Sequence, residues 1–160
     1  VTVYRRPRVA ILSTGDELVG LAQPLQPGQI VDSNRYALMA QLMALGAEPV
    51  LLGIIPDRPD ALRQAIAQAV DTADVVLSSG GVSVGDYDYV DGILAELGAM
   101  IHLRSVAIRP GKPLTVATFA RSPRPVLYFG LPGNPVSALV TFWRFVQPAL
   151  QKLMGRPQPW

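Results

Sequence analysis

Asp74-Val-Val-Leu-Ser-Ser-Gly-Gly81 is the stretch on which the fold turns. A short apolar run that ends in small hydroxyl residues and a glycine pair reads as a buried strand entering a turn. The residues before it read as a helix. Pro56-Asp-Arg-Pro59 breaks the chain, Pro59 or Asp60 opens the helix, and Ala61, Leu62, Ala65, Ile66, Ala69 and Val70 follow helical spacing to about Val70. A second apolar run, Pro49 to Ile55, precedes that helix and reads as another strand. The same alternation continues in both directions. Arg8-Val-Ala-Ile-Leu-Ser13 is a strand, and Asp32 or Ser33 caps a helix over Asn34 to Leu45 that stops at Gly46. Tyr89 to Leu97 is a helix ended by Gly98. Met100 to Ile108, Leu114 to Phe119 and Pro125 to Phe129 read as strands, and a long helix runs from Pro135 through Leu153. Proline is tolerated in a first helical turn, so Pro135 fits, while Pro148 inside the run predicts a kink or break. Strands alternating with helices of this length mean βαβ units and an α/β fold with a mostly parallel sheet.

Composition narrows the function classes. The chain has 160 residues, 49% of them apolar, which supports one domain with a real core. There is no cysteine, which removes disulfide scaffolds, thiol nucleophiles and cysteine zinc sites. The net charge is only +2 and the basic residues are scattered, so nucleic acid is not expected as a partner. No apolar stretch reaches the ~18 residues of a membrane span, and Arg5, Arg6 and Arg8 are not followed by a leader-like apolar segment.

Four loops carry the chemistry: Ser13-Thr-Gly-Asp-Glu-Leu18, Ser78-Ser-Gly-Gly-Val-Ser-Val-Gly-Asp-Tyr-Asp88, Arg109-Pro-Gly-Lys-Pro113 and Gly130-Leu-Pro-Gly-Asn-Pro-Val-Ser137. Three follow expected strands. In open α/β sheets ligands bind beyond the carboxyl ends of the strands. Small residues, hydroxyls and free backbone N–H groups suit an anionic ligand. Arg109 and Lys112 add two cations on a proline-stiffened turn, one able to grip an oxyanion in bidentate fashion and one a point charge. Lys112 lies between two strands, which implies an antiparallel piece in the sheet. Asp16, Glu17, Asp57, Asp86 and Asp88 all fall just past strands, as carboxylates near a Mg²⁺ would. Helix capping is the competing explanation for each, for Asp57 and Asp86 above all, and Asp32-Ser-Asn34 also reads as a capping turn.

Other motifs fail on context. Gly81-Val-Ser-Val-Gly85 has the form of a nucleophile elbow, but the only histidine, His102, sits in an expected strand. No Gly-x-x-x-x-Gly precedes Lys112, so it is not a P-loop lysine, and no Gly-x-Gly-x-x-Gly supports a dinucleotide site.

Taken together, the Thr-Gly-Asp-Glu-Leu, Asp-Ser-Asn, Ser-Gly-Gly-Val-Ser-Val-Gly-Asp, Pro-Gly-Lys-Pro and Leu-Pro-Gly-Asn-Pro-Val-Ser motifs resemble the molybdopterin molybdenumtransferase family, of the MoeA and gephyrin E-domain type. The resemblance runs from about Arg8 to Gly155. It implies a three-layer αβα domain of the molybdopterin-binding fold over residues 1–155, with 156–160 starting a linker. It implies Mg²⁺-assisted insertion of molybdate into adenylated molybdopterin with release of AMP, in the cytoplasm.

By motif position, Glu17, Asp57 and Asp88 correspond to acidic active-site and metal-binding residues, and Arg109 and Lys112 to the cationic turn. Thr14, Gly15, Asp16, Ser79, Gly80, Gly81, Ser83, Pro132, Gly133, Asn134, Pro135 and Ser137 correspond to molybdopterin-binding positions. Many relatives carry a lysine where this chain has Ser105, and Arg104 stands beside it. Full-length relatives carry further subdomains and complete their site across a homodimer, so Val1 and Trp160 read as cut points of a core subdomain with little activity alone. Two other readings share the motifs: a molybdopterin adenylyltransferase of the same fold, and a non-catalytic scaffold that binds a partner peptide.

Overall fold

Strand β1 (Arg8–Thr14) is buried at every residue but the first, and β5 (Val75–Ser79) at all of them. Burial of that kind needs a layer of helices on each face, and both are present. The computed structural model describes residues 1, 3–80 and 87–156, with the side chains of Tyr87 and Asp88 outside the description.

The elements β1, β2 (Leu18–Val19), β3 (Ile30–Val31), α1 (Ser33–Leu45), β4 (Glu48–Ile55), α2 (Pro59–Thr72), β5, α3 (Tyr87–Glu96), β6 (Ala99–Ser105), β7 (Pro113–Phe119), β8 (Val126–Leu131), α4 (Pro135–Thr141) and α5 (Gln147–Leu153) follow in order. Six strands form one sheet in the order β4-β1-β5-β8-β7-β6. β4, β1, β5 and β8 are parallel, while β7 is antiparallel to both of its neighbours. The expected three-layer α/β architecture with a mostly parallel sheet is therefore observed, including the antiparallel piece around Lys112.

Alternate residues of β1 feed two cores. Ala10 and Leu12 pack with Leu62 and Ile66 of α2 and with Ile93 and Leu94 of α3. Val9 and Ile11 pack with Leu38 and Leu42 of α1 and with Phe142, Val146 and Leu150 near the C-terminus. Each fully buried Leu or Ile contributes about 1.5–3 kcal/mol relative to exposure, so the sheet is clamped from both sides. α1 begins where Asp32 accepts a hydrogen bond from the Arg35 N–H and ends at Gly46 in the left-handed conformation.

Two expectations need correction, and one pairing is new. The strand expected over 100–108 ends at Ser105, and residues 106–112 form a connection closed by the Val106 N–H donating to the Lys112 carbonyl at 2.9 Å. The two-residue strands β2 and β3, without a counterpart in the sequence reading, flank the loop between them and pair with each other. The long final helix does not break at Pro148. A π-helical turn over Phe142–Val146 precedes it, with the Gln147 N–H donating to the Phe142 carbonyl. Pro148 then sits in the first turn of α5, where its missing N–H costs little.

Candidate functional site

The connections of this sheet diverge between β1 and β5. β1 leads through α1 to β4 on one side, while β5 leads through α3 toward β6 on the other. Such a switch point opens a crevice beyond the strand ends. A cleft of about 280 Å³ lies there, lined by residues that follow β1 (Thr14, Glu17, Leu18), β3 and the start of α1 (Ile30 to Asn34), β5 (Ser79, Gly80) and β8 (Gly133, Asn134, Pro135).

Two contacts fix its shape. Gly80 has φ +90°, and a Cβ there would lie 2.3 Å from the Thr14 carbonyl oxygen. The ends of β1 and β5 approach so closely that only glycine fits. Asn34 supplies the second contact. It is 9% exposed, and its amide Nδ2 donates both to Ser79 Oγ at 2.7 Å and to the Gly133 carbonyl at 2.8 Å. One side chain at the start of α1 thus ties the end of β5 to the loop after β8.

The acidic residues are arranged along one side. Glu17 is exposed and lines the cleft, its carboxylate folded back over Gly15. The Asp57 N–H, just past β4, donates to Asp16 Oδ1 at 3.1 Å and links the loops after β1 and β4. The N-cap of α2 is Arg58, so Asp57 does not occupy the capping position. Asp32 does cap α1, as the sequence suggested, and its buried carboxylate lies 3.3 Å from Arg35 Nε, which offsets its charge beside the cleft.

The cations come from the other side. β6 is parallel to β8, and the 106–112 connection therefore emerges at the same sheet edge as the other loops. Gly111 (φ +111°) is buried, with space for a Cβ denied by Thr141 of the final helical region. This contact seats the turn while Arg109 and Lys112 stay exposed, and neither makes an ion pair among the described residues. Arg104, beside Ser105 at the end of β6, is paired with Asp91 of α3.

Of the expected binding residues, Thr14, Glu17, Ser79, Gly80, Gly133, Asn134 and Pro135 line one cleft. Gly15, Asp16, Asp57, Arg109 and Lys112 stand at the same edge outside it. Pro132 is buried, and Ser137 serves α4: its N–H donates to the Asn134 side chain and its carbonyl accepts from Thr141. Gly81, Ser83, Asp86 and the Asp88 side chain lie outside the described residues. Among the described residues no three His, Cys, Asp or Glu side chains gather in metal-binding proximity.

Sequence reasoning missed Asn34 as more than a capping neighbour, and it missed the apolar wall of Leu18, Ile30 and Val31. The Asp-Ser-Asn motif was the available signal. Its partners lie 45 and 99 residues away, beyond any local pattern. Deeper in the sheet, Tyr128 meets Ser78 just behind the loop, and burial pushes its hydroxyl up to about 12.

Comparison with known proteins agrees with this geometry. Residues 10–152 match the family described as "Probable molybdopterin binding domain". The chain is 68% identical over its whole length to a molybdopterin molybdenumtransferase of Nostoc sp. and covers 36% of that protein. It is 44% identical over 99% of its length to the molybdopterin molybdenumtransferase of Haemophilus influenzae, covering 38% of it. The solved structure of a molybdopterin biosynthesis moea protein from Pyrococcus horikosii superimposes with a TM-score of 0.82 at 38% identity, over 95% of this chain and 36% of that one. The chain thus spans little more than a third of the length of these relatives. With the family's match running from β1 into α5 and the cleft built from its loops, the chain belongs to the molybdopterin-binding domain family.

Proposed function

We propose that this chain is the molybdopterin-binding core of an enzyme that inserts molybdate into adenylated molybdopterin and releases AMP, a step of molybdenum cofactor biosynthesis. The observation that carries the reading is the switch-point cleft, polar at Thr14, Asn34, Ser79 and Gly80 and apolar at Leu18, Ile30 and Val31. A flat heterocycle bearing a phosphate matches such a two-ended cleft. The relatives' names support the reaction.

Residues 1–155 act as the binding domain, and 156–160 begin the continuation into the rest of the protein. Arg156 still donates to the Leu45 carbonyl, so the continuation starts close against α1. By motif position Gly81, Ser83, Pro132 and Ser137 complete the binding loops, and the active protein is a cytoplasmic homodimer.

Mg²⁺ of the kind held by one or two carboxylates together with substrate phosphate, rather than by an all-protein cage, is the ion this reading calls for, and exposed Glu17 beside the cleft suits it. Glu17, Asp57 and Asp88 would hold it. The ion, when bound, supplies positive charge against the phosphoryl oxygens. The remaining work falls to the chain itself. Asp16 fixes the Asp57 backbone and so holds the β4 loop beside β1. Arg109 and Lys112, free of competing ion pairs among the described residues, neutralise the anionic substrate from the opposite side. Ser79 and the backbone at Gly80 orient the phosphate, and the Leu18–Ile30 wall keeps water from the heterocycle.

Mass spectrometry of products from adenylated molybdopterin, molybdate and Mg²⁺, with the longer protein, tests the reading. AMP and molybdenum-loaded cofactor in equal amounts are expected. In a parallel incubation with molybdopterin, ATP and Mg²⁺, formation of adenylated molybdopterin, with no AMP released in the first mixture, would assign the adenylyl-transfer reaction instead.

A further inference from the structure

Asn34 spends both hydrogens of its amide on protein acceptors, Ser79 Oγ and the Gly133 carbonyl. An amide nitrogen cannot accept, so the first bond settles the role of Ser79: its oxygen accepts from Asn34. The Ser79 hydroxyl hydrogen then has no acceptor among the described residues, although Ser79 is only 2% exposed and lines the cleft. A buried hydroxyl without an acceptor is costly, and a ligand oxygen would relieve that cost.

We infer that Asn34 is a positioning residue that locks the Ser79 hydroxyl as a donor into the cleft, making this point of the site selective for an acceptor-only anion such as a phosphate oxygen. The inference rests on the reading of the cleft as the ligand site. It also explains why an asparagine stands there. Aspartate would accept from Ser79, turn its hydrogen away from the ligand and face the Gly133 carbonyl with negative charge. Aspartate would therefore reverse the polarity at nearly unchanged shape.

The test is a double-mutant cycle on Asn34 and Ser79, read by calorimetric titration with molybdopterin and, separately, with inorganic pyrophosphate. Ser79→Ala in the natural background should weaken binding about ten- to hundredfold, as loss of a hydrogen bond to a charged group does. In an Asn34→Ala background the same change should cost less than about threefold, because the hydroxyl is no longer held toward the ligand. In Asn34→Asp it should cost nothing further. Thermal melting of each variant keeps loss of fold apart from loss of polarity, and the Asn34→Ala arm stands alone if the aspartate variant does not fold.

A purely structural role for Asn34 would make the two losses add, and additivity in both backgrounds overturns the inference. Coupling seen with pyrophosphate but no binding of molybdopterin would retain the polarity lock and remove the proposed ligand. No binding of either probe by the unmodified protein would remove both.

Discussion

Gly80→Ala puts the closest approach in the site under direct load. Two costs can be separated. The first is conformational: alanine at φ +90° sits in a region that L-residues avoid, at about 1–2 kcal/mol. The second is steric. The new Cβ would meet the Thr14 carbonyl oxygen at 2.3 Å, and that oxygen belongs to backbone, so the ends of β1 and β5 must part. Forcing a group into packed surroundings costs about 1–3 kcal/mol more.

Gly98→Ala is the internal control. Its φ is +81°, yet nothing lies within 4 Å of its Cβ position, so it carries the first cost alone. Gly80→Ala should therefore be less stable than Gly98→Ala by about 1–3 kcal/mol, or a further ~2–10 °C in Tm for a chain of this size. Urea denaturation gives the stability difference, and calorimetry gives the binding. Gly98→Ala should bind molybdopterin normally, whereas Gly80→Ala should lose most of its affinity because the cleft walls have moved. Equal stability and equal affinity for the two variants would refute the claim that the β1–β5 contact shapes the site.

Arg109→Ala should weaken binding of a phosphate ligand by about 1.5–3 kcal/mol with little change in Tm, since the side chain is exposed and unpaired among the described residues; unchanged affinity in calorimetry would place Arg109 outside the site. Asp57→Asn and Asp88→Asn in the longer protein should lower Mg²⁺-dependent turnover while sparing metal-free ligand binding, and normal Mg²⁺ titration curves for both would reduce them to structural residues. Tyr128 makes high-pH stability a separate test. Its folded value of about 12 lies above the ordinary 10, so the unfolded chain loses its proton first and stability falls as pH rises from 10 toward 12, by about 2–3 kcal/mol in all. Tyr128→Phe should remove that component of the decline, and denaturation curves with the same slope against pH for both proteins would contradict it.

The sheet and its helices were legible because their signals are local. β5 is apolar until its hydroxyl residues, α2 shows its helical period, and Gly46 and Gly98 stop helices where expected. The loop cluster was legible too, since strand ends in a parallel sheet share an edge. What escaped the sequence was set by distant partners or by context. β2 and β3 are two residues each and form only because Leu18 finds Ile30. Pro148 signalled a defect in the helix but not that a π-helical turn upstream would absorb it. The pairing of Arg104 with Asp91, 13 residues away on α3, had no local signal either. Asn34 read as a helix-start residue, and its work as a tie between a strand end and a loop depends on chain segments folded against it from far along the sequence.

The central claim is that molybdopterin sits in the switch-point cleft, and amide chemical-shift mapping during a molybdopterin titration tests it most directly. A second, larger hollow of about 530 Å³ at the opposite sheet edge, lined by Arg5, Asp74, Arg121 and Arg124, provides the contrast. The account predicts saturable shifts at Thr14, Ser33, Asn34, Ser79, Gly80 and Asn134, including the Asn34 side-chain amide, with residues around Arg121 unmoved. Saturable shifts centred on Arg5 and Arg121, with the Thr14–Gly80 contact unaffected, would contradict it.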